Sequence, residues 1–435
     1  MSVDFHQMNG RDPYVYKTTD YGQSGTSIAS DIPRSVFSYV HWVHEDPVRQ
    51  GLVYLGTEND ISVSFNDGGR WLTIQKNHPH ATIHDGVVKE HYNDLVIATF
   101  GRGFWILDDI TPFQQLTDEV LASDAHLFAP RDAYRMHAIV GGPPVPTTAY
   151  INYYLKEPPA GPVEIEILDA QGRMVNTLRG SQDAGINRLS WNMRYPGPEQ
   201  AKIRTKPPGN PTVVQEKRFR EQWENEGWIP VLSWGTQGGF SGVRVAPGTY
   251  TVNLKVGGET FTQELEILKD PRSDGTLADI QEMVAMQLQV RDDITTISGL
   301  INEIEWMKKQ INDLKESLER VGGSAAIRSE ADALYGQLQA VEDKILQPYA
   351  VEGDSKSFRF PNMLYSKMSV LGGDLAESVD FAPNQQQMEV YELLRTQMLD
   401  SRRELRALVL GEVAAFNGML AEQNLAGIMG EPGGD

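Results

Sequence analysis

The sequence predicts a multidomain protein of β plus α class: a partial β-propeller of two to three blades, a β-sandwich, and a carboxyl-terminal antiparallel helical hairpin or bundle. Three observations carry this prediction. A turn motif at Ser64 to Trp71, S-F-N-D-G-G-R-W, has a degraded copy 46 residues upstream at Thr18 to Gly25, T-T-D-Y-G-Q-S-G. Short strand-like runs, separated by Gly, Pro, Asn and Asp, fill the first 270 residues. Beyond Pro271 the apolar period lengthens to three and four residues, the spacing of a helix face.

The repeated turn comes first because internal repeats mark architectures in which no unit buries its apolar face alone. In each copy a hydroxyl residue leads (Thr18, Ser64), an Asp or Asn follows two positions on (Asp20, Asn66), and a glycine stands two further (Gly22, Gly68). The polar side chains can bond to nearby backbone N–H groups, and glycine supplies positive φ. Trp71 then returns a large apolar group to the sheet; Gly25 stands at that position in the first copy.

Residues 1–120 read as β, with runs near Tyr14–Lys17, Ser35–Val43, Leu52–Gly56, Ile61–Phe65, Trp71–Ile74, Thr82–Val88, Leu95–Thr99, Gly103–Leu107 and Phe113–Leu116. Thr57 and Thr99 lie 42 residues apart, as do Trp71 and Phe113, which fits four short antiparallel strands per blade. The count is two full blades and the end of a third. Propellers close with four or more, so the remaining blades are expected from a longer protein or from a second chain.

Residues 125–270 form a second β zone with seven strand-like runs, the pattern of an immunoglobulin-like or fibronectin-like sandwich. A long insertion, 195–243, interrupts it; Glu216–Trp223 is expected as a short helix, and Trp223, Trp228 and Trp234 are expected to face a ligand or to pin the loop onto the sandwich. Residues 275–428 read as helices: Leu277–Val321, closed by Gly322-Gly323; Ala325–Leu346, stopped by Pro348; a short one near Met363–Ser369, before Gly372-Gly373; and Asn384–Ile428. A dimerising coiled coil is the alternative use of these stripes. The tail 429–435 is expected to be disordered.

Composition bounds the function. A net charge of −20 argues against non-specific binding to nucleic acid or to an anionic bilayer. With no cysteine, disulfides and thiolate metal sites are excluded. The amino terminus lacks an apolar core of signal-peptide length, and no run approaches a membrane span.

The turn motif resembles the Asp-box of the BNR-repeat propellers, found in sialidases and in sortilin-type Vps10 domains. V-E-I-E-I-L-D-A-Q-G-R-M-V, G-I-N-R-L-S-W-N-M-R and V-A-P-G-T-Y-T-V-N-L resemble FlgD-type Ig-like modules. With V-I-A-T-F-G-R-G-F-W-I-L-D-D-I and the helices, the chain resembles the carboxyl-terminal part of large bacterial BNR-repeat proteins, which carry labels such as "glycosyl hydrolase" or "sortilin/Vps10-like". This resemblance implies a further amino-terminal portion holding most of a propeller, an extracytoplasmic location, and a structural role for the box. The hydrolase label follows the fold and is no evidence of chemistry.

Candidate site residues are few. Arg102 sits in Phe100-Gly101-Arg102-Gly103-Phe104-Trp105, where two glycines permit a tight turn. It is a ligand clamp in a propeller channel or an anchor between blades. Trp105 and His84 are the other binding candidates. His78, His80 and His84, with His41, His44 and His91 nearby, could bind zinc, but Pro79 and the strand at Thr82–Val88 would split the first three, so no metal and no cofactor are expected. A glycosidase needs two carboxylates at a defined separation. Glu45, Asp46, Glu58, Asp60, Asp108 and Asp109 are available, and no spacing singles out a pair. Arg34, Arg49, Arg70 and Arg102 form no evident clamp for an acidic sugar. The expectation is a non-catalytic protein that binds protein, peptide or glycan, with a secreted glycoside hydrolase as the alternative.

Overall fold

The first 107 residues form three antiparallel sheets in chain order. The first holds β1 (Ser2–Phe5), β2 (Gly10–Lys17) and β3 (Thr26–Ser27); the second β4 (Val40–Glu45), β5 (Val53–Thr57), β6 (Ile61–Ser64) and β7 (Leu72–Thr73); the third β8 (Ile83–Lys89), β9 (Asp94–Thr99) and β10 (Gly103–Leu107). In each, every strand pairs with the next in sequence. These features come from a computed structural model that describes residues 1–74, 77–137, 147–231, 242–322, 324–347, 361–377 and 380–430. Ile139, Gly-Gly 141–142, Trp234, Gly-Gly 238–239, Gly323, Pro348 and residues 431–435 lie outside the described residues.

The middle sheet is buried on both faces, as β5 shows: all five of its residues are buried. On one side Val40, Val53, Leu55 and Trp71 pack with Val15, Ala29 and Ile32. On the other, Trp42, Tyr54, Ile61 and Val63 pack with Ile83, Val88, Leu95 and Ile97 of the third sheet. Two glycines permit that second approach. A Cβ on Gly56 would stand 2.6 Å from the Ile83 side chain, and one on Gly86 would stand 2.7 Å from the Trp42 ring. Gly86→Ala is therefore expected to cost about 1–3 kcal/mol through overpacking, read as a lowered denaturant midpoint. An unchanged midpoint would mean that the two sheets yield freely.

The two turn motifs have one hydrogen-bond pattern. Thr18 Oγ1 donates to Asp20 Oδ1 (2.8 Å) and accepts from Gly22 N (2.8 Å), while Asp20 Oδ1 accepts from Ser24 N (2.9 Å). Ser64 Oγ donates to Asn66 Oδ1 (3.1 Å) and accepts from Gly68 N (2.9 Å), while Asn66 Oδ1 accepts from Arg70 N (2.8 Å). Backbone conformation repeats as well, with φ of 59° and 87° at Tyr21 and Gly22, and 62° and 85° at Asp67 and Gly68. Bonds from the Ser24 hydroxyl and amide hold the Asp20 carboxyl down to about 2. An ion pair between Lys17 and Asp67 links the strand before the first turn to the second.

Of Phe113–Leu116, expected as a strand, Phe113, Gln114 and Gln115 fall instead in α1 (Thr111–Gln115) and Leu116 follows as its C-cap; Pro112 suits a first helical turn. The equal spacing of Trp71 and Phe113 is thus a coincidence of sequence. After α2 (Asp118–Ala122) come β11 (Ala125–Leu127), β12 (Ala133–Arg135), β13 (Ala149–Leu155), β14 (Glu164–Leu168), β15 (Met174–Arg179) and β16 (Gly185–Trp191). A segment with β17 (Lys202–Ile203), α3 (Lys217–Glu226) and β18 (Ile229–Pro230) intervenes before β19 (Gly248–Val256) and β20 (Glu259–Lys269). The resulting antiparallel sheets run β11-β13-β16 and β12-β20-β19-β14-β15. Strict alternation drives this pairing: Tyr250, Val252, Leu254 and Val256 of β19 are buried, and their neighbours are not.

The chain divides into two compact units, Met1–Met193 with Gly248–Leu268, and Arg194–Pro247 with Lys269–Asp435. The segment expected as an insertion in the second β zone therefore packs with the helices. Its Ala201, Ile203, Val213, Val214, Phe219 and Ile229 join the helical core. Trp223 packs against that core and so pins the loop onto the helices instead of the sandwich, because the loop's apolar residues find their partners there, and Trp228 receives the Lys202 ammonium 5.4 Å from its ring centre.

In this second unit α4 (Leu277–Val321) starts at a Thr276/Asp279 capping box and ends at Gly322, whose φ is 68°. Its buried stripe includes Ile294, Ile297, Ile301, Ile304, Ile311 and Leu318. It is followed by α5 (Ala325–Ile345), α6 (Leu364–Glu377), α7 (Gln385–Leu408), a π-helical turn at Val409–Val413, and α8 (Ala414–Glu422). Gly372-Gly373 lies inside α6, so the glycine pair expected to follow a short helix is part of a longer one: Leu371 and Leu375 are buried in the core and outweigh the propensity cost. Among the described residues no helix is long and apolar enough to cross a membrane.

Candidate functional site

The leading strand of each of the first three sheets, β1, β4 and β8, is an edge strand of its own sheet. β1 lies against β4, and β4 against β8. Three neighbouring edges thus bring side chains from separate repeats to one place. A cluster of imidazoles and carboxylates occupies it.

His41 of β4 is the centre. Its Nε2 is 2.9 Å from Glu58 Oε2 and its Nδ1 is 3.3 Å from Asp4 Oδ2 of β1. Asp4 also holds His6, with Oδ1 2.7 Å from the ring Nδ1 and 2.9 Å from the backbone N–H. His6 stacks on Tyr39 at 4.9 Å, and His41 stacks on His84 of β8 at 5.0 Å. His84 in turn meets Phe100 at 5.9 Å. Partial burial opposes ionisation of Glu58, yet hydrogen bonds from His41, Tyr39 and Thr82 hold its carboxyl below the usual range. Asp4 is likewise opposed by burial and held low by the His6 amide and ring. The floor of the site is His41, its side chain only 10% exposed; the rim is Phe100, 73% exposed, with His84 beside it.

His84 is the one sequence-predicted binding residue inside this cluster. Arg102 sits on the β9–β10 turn two residues beyond Phe100 and is exposed. Trp105 is elsewhere: its ring meets His78 at 5.1 Å, and both line a cavity of about 80 Å³ with Ile61, Ile74, Leu95 and Ile97. Glu58 was weighed only as one of six available carboxylates and His41 only as a neighbour of the other histidines; Asp4, His6 and Tyr39 were not singled out. One signal existed for His41. It and His84 each follow a β-branched residue (Val40, Ile83) at a spacing of 43 residues, close to the repeat. Asp4 and Glu58 had no such signal, since their proximity depends on sheet stacking.

The histidines weighed as a zinc set are separated. His80 Nδ1 bonds to Asp60 Oδ1 at 2.7 Å, His78 packs on Trp105, and His84 stacks on His41. Among the described residues no three His, Asp or Glu side chains are placed to hold a metal ion. Most of the other carboxylates have structural partners. Asp46 Oδ1 accepts from Val48 N and Arg49 N, both at 2.9 Å, and Glu45 Oε1 accepts from Gly51 N at 3.0 Å. Asp109 Oδ2 accepts from Asn152 Nδ2 at 2.7 Å. Arg49 donates to the Phe113 and Leu116 carbonyls, and Arg34 faces Asp12 at 3.5 Å. The site can therefore offer ring faces and hydrogen-bond acceptors. Among the described residues it presents no arginine clamp.

No family model matches the sequence, and no curated protein matches it. Among solved structures the chain is similar to trypsin-activated alpha-2-macroglobulin from Escherichia coli at 10% identity, over 50% of this chain and 12% of that one, with a TM-score of 0.17. Two Salmonella alpha-2-macroglobulin structures, a Y1175G mutant and a methylamine-reacted form, match at 14% and 15% identity, over 52% of this chain and 12% of theirs, also at 0.17. The chain thus spans about one eighth of those proteins. A likeness at this TM-score carries no argument about fold or function.

Proposed function

We propose that residues 1–120 are an arc of a BNR-type β-propeller, completed by further blades from a longer protein or from a second chain. On this reading the protein is a non-catalytic, extracytoplasmic interaction protein. It binds protein, peptide or glycan at the inner strands. The observation that carries it is the convergence of β1, β4 and β8, each the leading edge of a sequential antiparallel sheet, on the His41 cluster. In a propeller that edge faces the central channel. The shared hydrogen bonds of the Thr18 and Ser64 turns support the Asp-box resemblance, and the alternating strands of 125–191 and 248–268 support the Ig-like one.

Stacked rings next to carboxylates suit a ligand that presents C–H faces and hydroxyl or amide donors, which sugars and peptides both do. A panel of oligosaccharides and of peptides, titrated onto the full chain, is the test. His84→Ala and Arg102→Ala are expected to weaken binding at least tenfold while leaving the melting temperature unchanged. A melting temperature lowered with affinity intact would assign both residues to structure. Turnover of a glycoside, abolished by one carboxylate substitution, would overturn the non-catalytic reading.

A further inference from the structure

The last helix, expected to run to Ile428, stops at Glu422, and the chain turns at Asn424, whose φ is 53°. Leu425 N closes that turn on the Leu420 carbonyl at 2.9 Å. Leu425 to Gly430 then continue without helix or strand; Met429 and Gly430, expected to begin a disordered tail, belong to this segment. Two side-chain amides hold it by its main chain. Asn417 of α8 donates from Nδ2 to the Ile428 carbonyl (2.9 Å) and accepts at Oδ1 from the Ile428 N–H (2.6 Å). Gln310 of α4 does the same for Met429: Nε2 donates to its carbonyl (2.7 Å) and Oε1 accepts from its N–H (3.2 Å). In extended chain the N–H and C=O of one residue face one side and those of the next face the other, so two such amides grip a peptide from both sides.

Side chains are read sparingly. Ile428 is 5% exposed and joins the helical core, Leu425 is half-buried, and the other four residues are exposed. A Cβ on Gly427 would stand 3.1 Å from Asn417 Oδ1, and one on Gly430 would stand 3.3 Å from Glu303 Oε1. Glu303 is half-buried; burial raises its carboxyl above the usual range, and among the described residues no cation faces it. The next residue in the sequence is Glu431, of like charge.

We propose that Asn417, Gln310 and the seat of Ile428 form a peptide-binding site, filled in this structure by the chain's own residues 425–430, and that it exchanges this segment for an extended peptide reading glycine, aliphatic, any residue, glycine, basic residue. Peptide sites of this kind take affinity from main-chain hydrogen bonds and specificity from side-chain pockets. The four amide bonds here go to main-chain atoms that any sequence can supply. The buried seat selects one aliphatic side chain, and the close approaches to Asn417 and Glu303 select the two glycines. A basic residue after the second glycine would pair with Glu303, where this chain's own sequence places an acid. The chain's own segment has the advantage of a tether, which raises its local concentration, and a free peptide has to offset that. The inference does not depend on the propeller reading, because every residue of the site lies in the helical unit.

The test uses the full chain carrying Ile428→Asp, which sets a carboxylate against an apolar seat and so frees the site. A fluorescent peptide, L-A-G-I-M-G-K, is expected to bind it saturably in anisotropy titrations. Binding to the unmodified chain, whose site is filled, is expected to be about tenfold weaker. Adding Asn417→Asp to Ile428→Asp keeps the acceptor and removes the donor, and is expected to weaken binding about tenfold. The peptides L-A-A-I-M-G-K and L-A-G-I-M-G-E should also bind more weakly than the first. Equal affinity for the lysine and glutamate peptides would overturn the basic preference. No saturable binding by Ile428→Asp with helical ellipticity retained would overturn the site itself, as would binding indifferent to Asn417→Asp. If Ile428→Asp unfolds the helices, Ile428→Cys takes its place as the single thiol of the chain. Its maleimide labelling is expected to speed up as L-A-G-I-M-G-K is added, and a rate indifferent to the peptide would overturn exchange.

Discussion

Trp71→Ala is expected to lower the stability of the amino-terminal unit by about 3–5 kcal/mol, the cost of removing a large aromatic group from a packed core. Trp71 is 7% exposed and packs among Val15, Ala29, Ile32, Val40, Val53 and Leu55, the residues that join the first sheet to the second. Its indole also donates to the Ile28 carbonyl at 2.9 Å, and its backbone N–H donates to Asp31 at 3.1 Å. The substitution removes the ring and the first of these bonds, and leaves the Ile28 carbonyl without it. Gly68, three residues earlier, explains why the ring reaches so far: a Cβ there would stand 2.6 Å from Ile28. Hydrogen exchange should show the loss concentrated in β2, β4 and β5. Unchanged protection in those strands would mean that the sheets do not depend on one another, and the arc reading would fail with it.

Lys308→Met should destabilise the helical unit by a comparable amount, about 3–5 kcal/mol, because it strips the counter-ion from the buried Glu305 carboxylate and a hydrogen-bond donor from the buried Glu342 carboxyl. Lys308 is 1% exposed; its Nζ donates to Glu305 Oε1 at 2.7 Å and to Glu342 Oε2 at 2.5 Å. Glu305 also accepts from the backbone N–H of Arg204 (2.5 Å) and of Thr205 (2.6 Å), and from the Thr205 hydroxyl (2.7 Å). The ion cluster therefore fastens the strand at Lys202–Ile203 and its continuation onto α4. Burial opposes the charge on Lys308, but the two glutamates more than offset it and raise its pKa.

The same cluster sets a pH dependence. Burial, and then the charge of Glu305, push the Glu342 carboxyl up from 4.5 to about 8. The folded protein thus keeps a proton that the unfolded chain has released. Its contribution to stability must fall as pH rises from about 4.5 to about 8, and level off above. Glu342→Gln is expected to flatten that slope in urea titrations followed by ellipticity. An equally steep slope in the variant would place the titration elsewhere.

Much of the local structure was legible from the chain. The helix at Leu277–Val321 was read to its observed ends because capping residues, a long apolar stripe and a terminal glycine all agree there. The turns at Thr18 and Ser64 were legible for a similar reason: their chemistry is contained within a few consecutive residues. Phe113–Leu116 was misread because a short apolar run has no period of its own, and Pro112 decided for helix. Gly372-Gly373 was misread because core packing outweighed propensity.

The site was less accessible. His84 was found by its place in a strand, but His41, Asp4, Glu58 and Tyr39 lie on three other segments. Arg204 and Thr205 are separated from Glu305 by about a hundred positions, and nothing in either segment announces the other.

By itself the sequence determined the repeated turns, the strand and helix periods, the caps, and the absence of any thiol chemistry, because each depends on neighbours a few residues apart. Only the tertiary structure decided which strands lie edge to edge, that residues 194–247 pack with the helices, and that two imidazoles, His6 and His41, share the carboxylates of Asp4 and Glu58. Those outcomes depend on which apolar faces find one another, a competition among distant segments that local patterning does not encode.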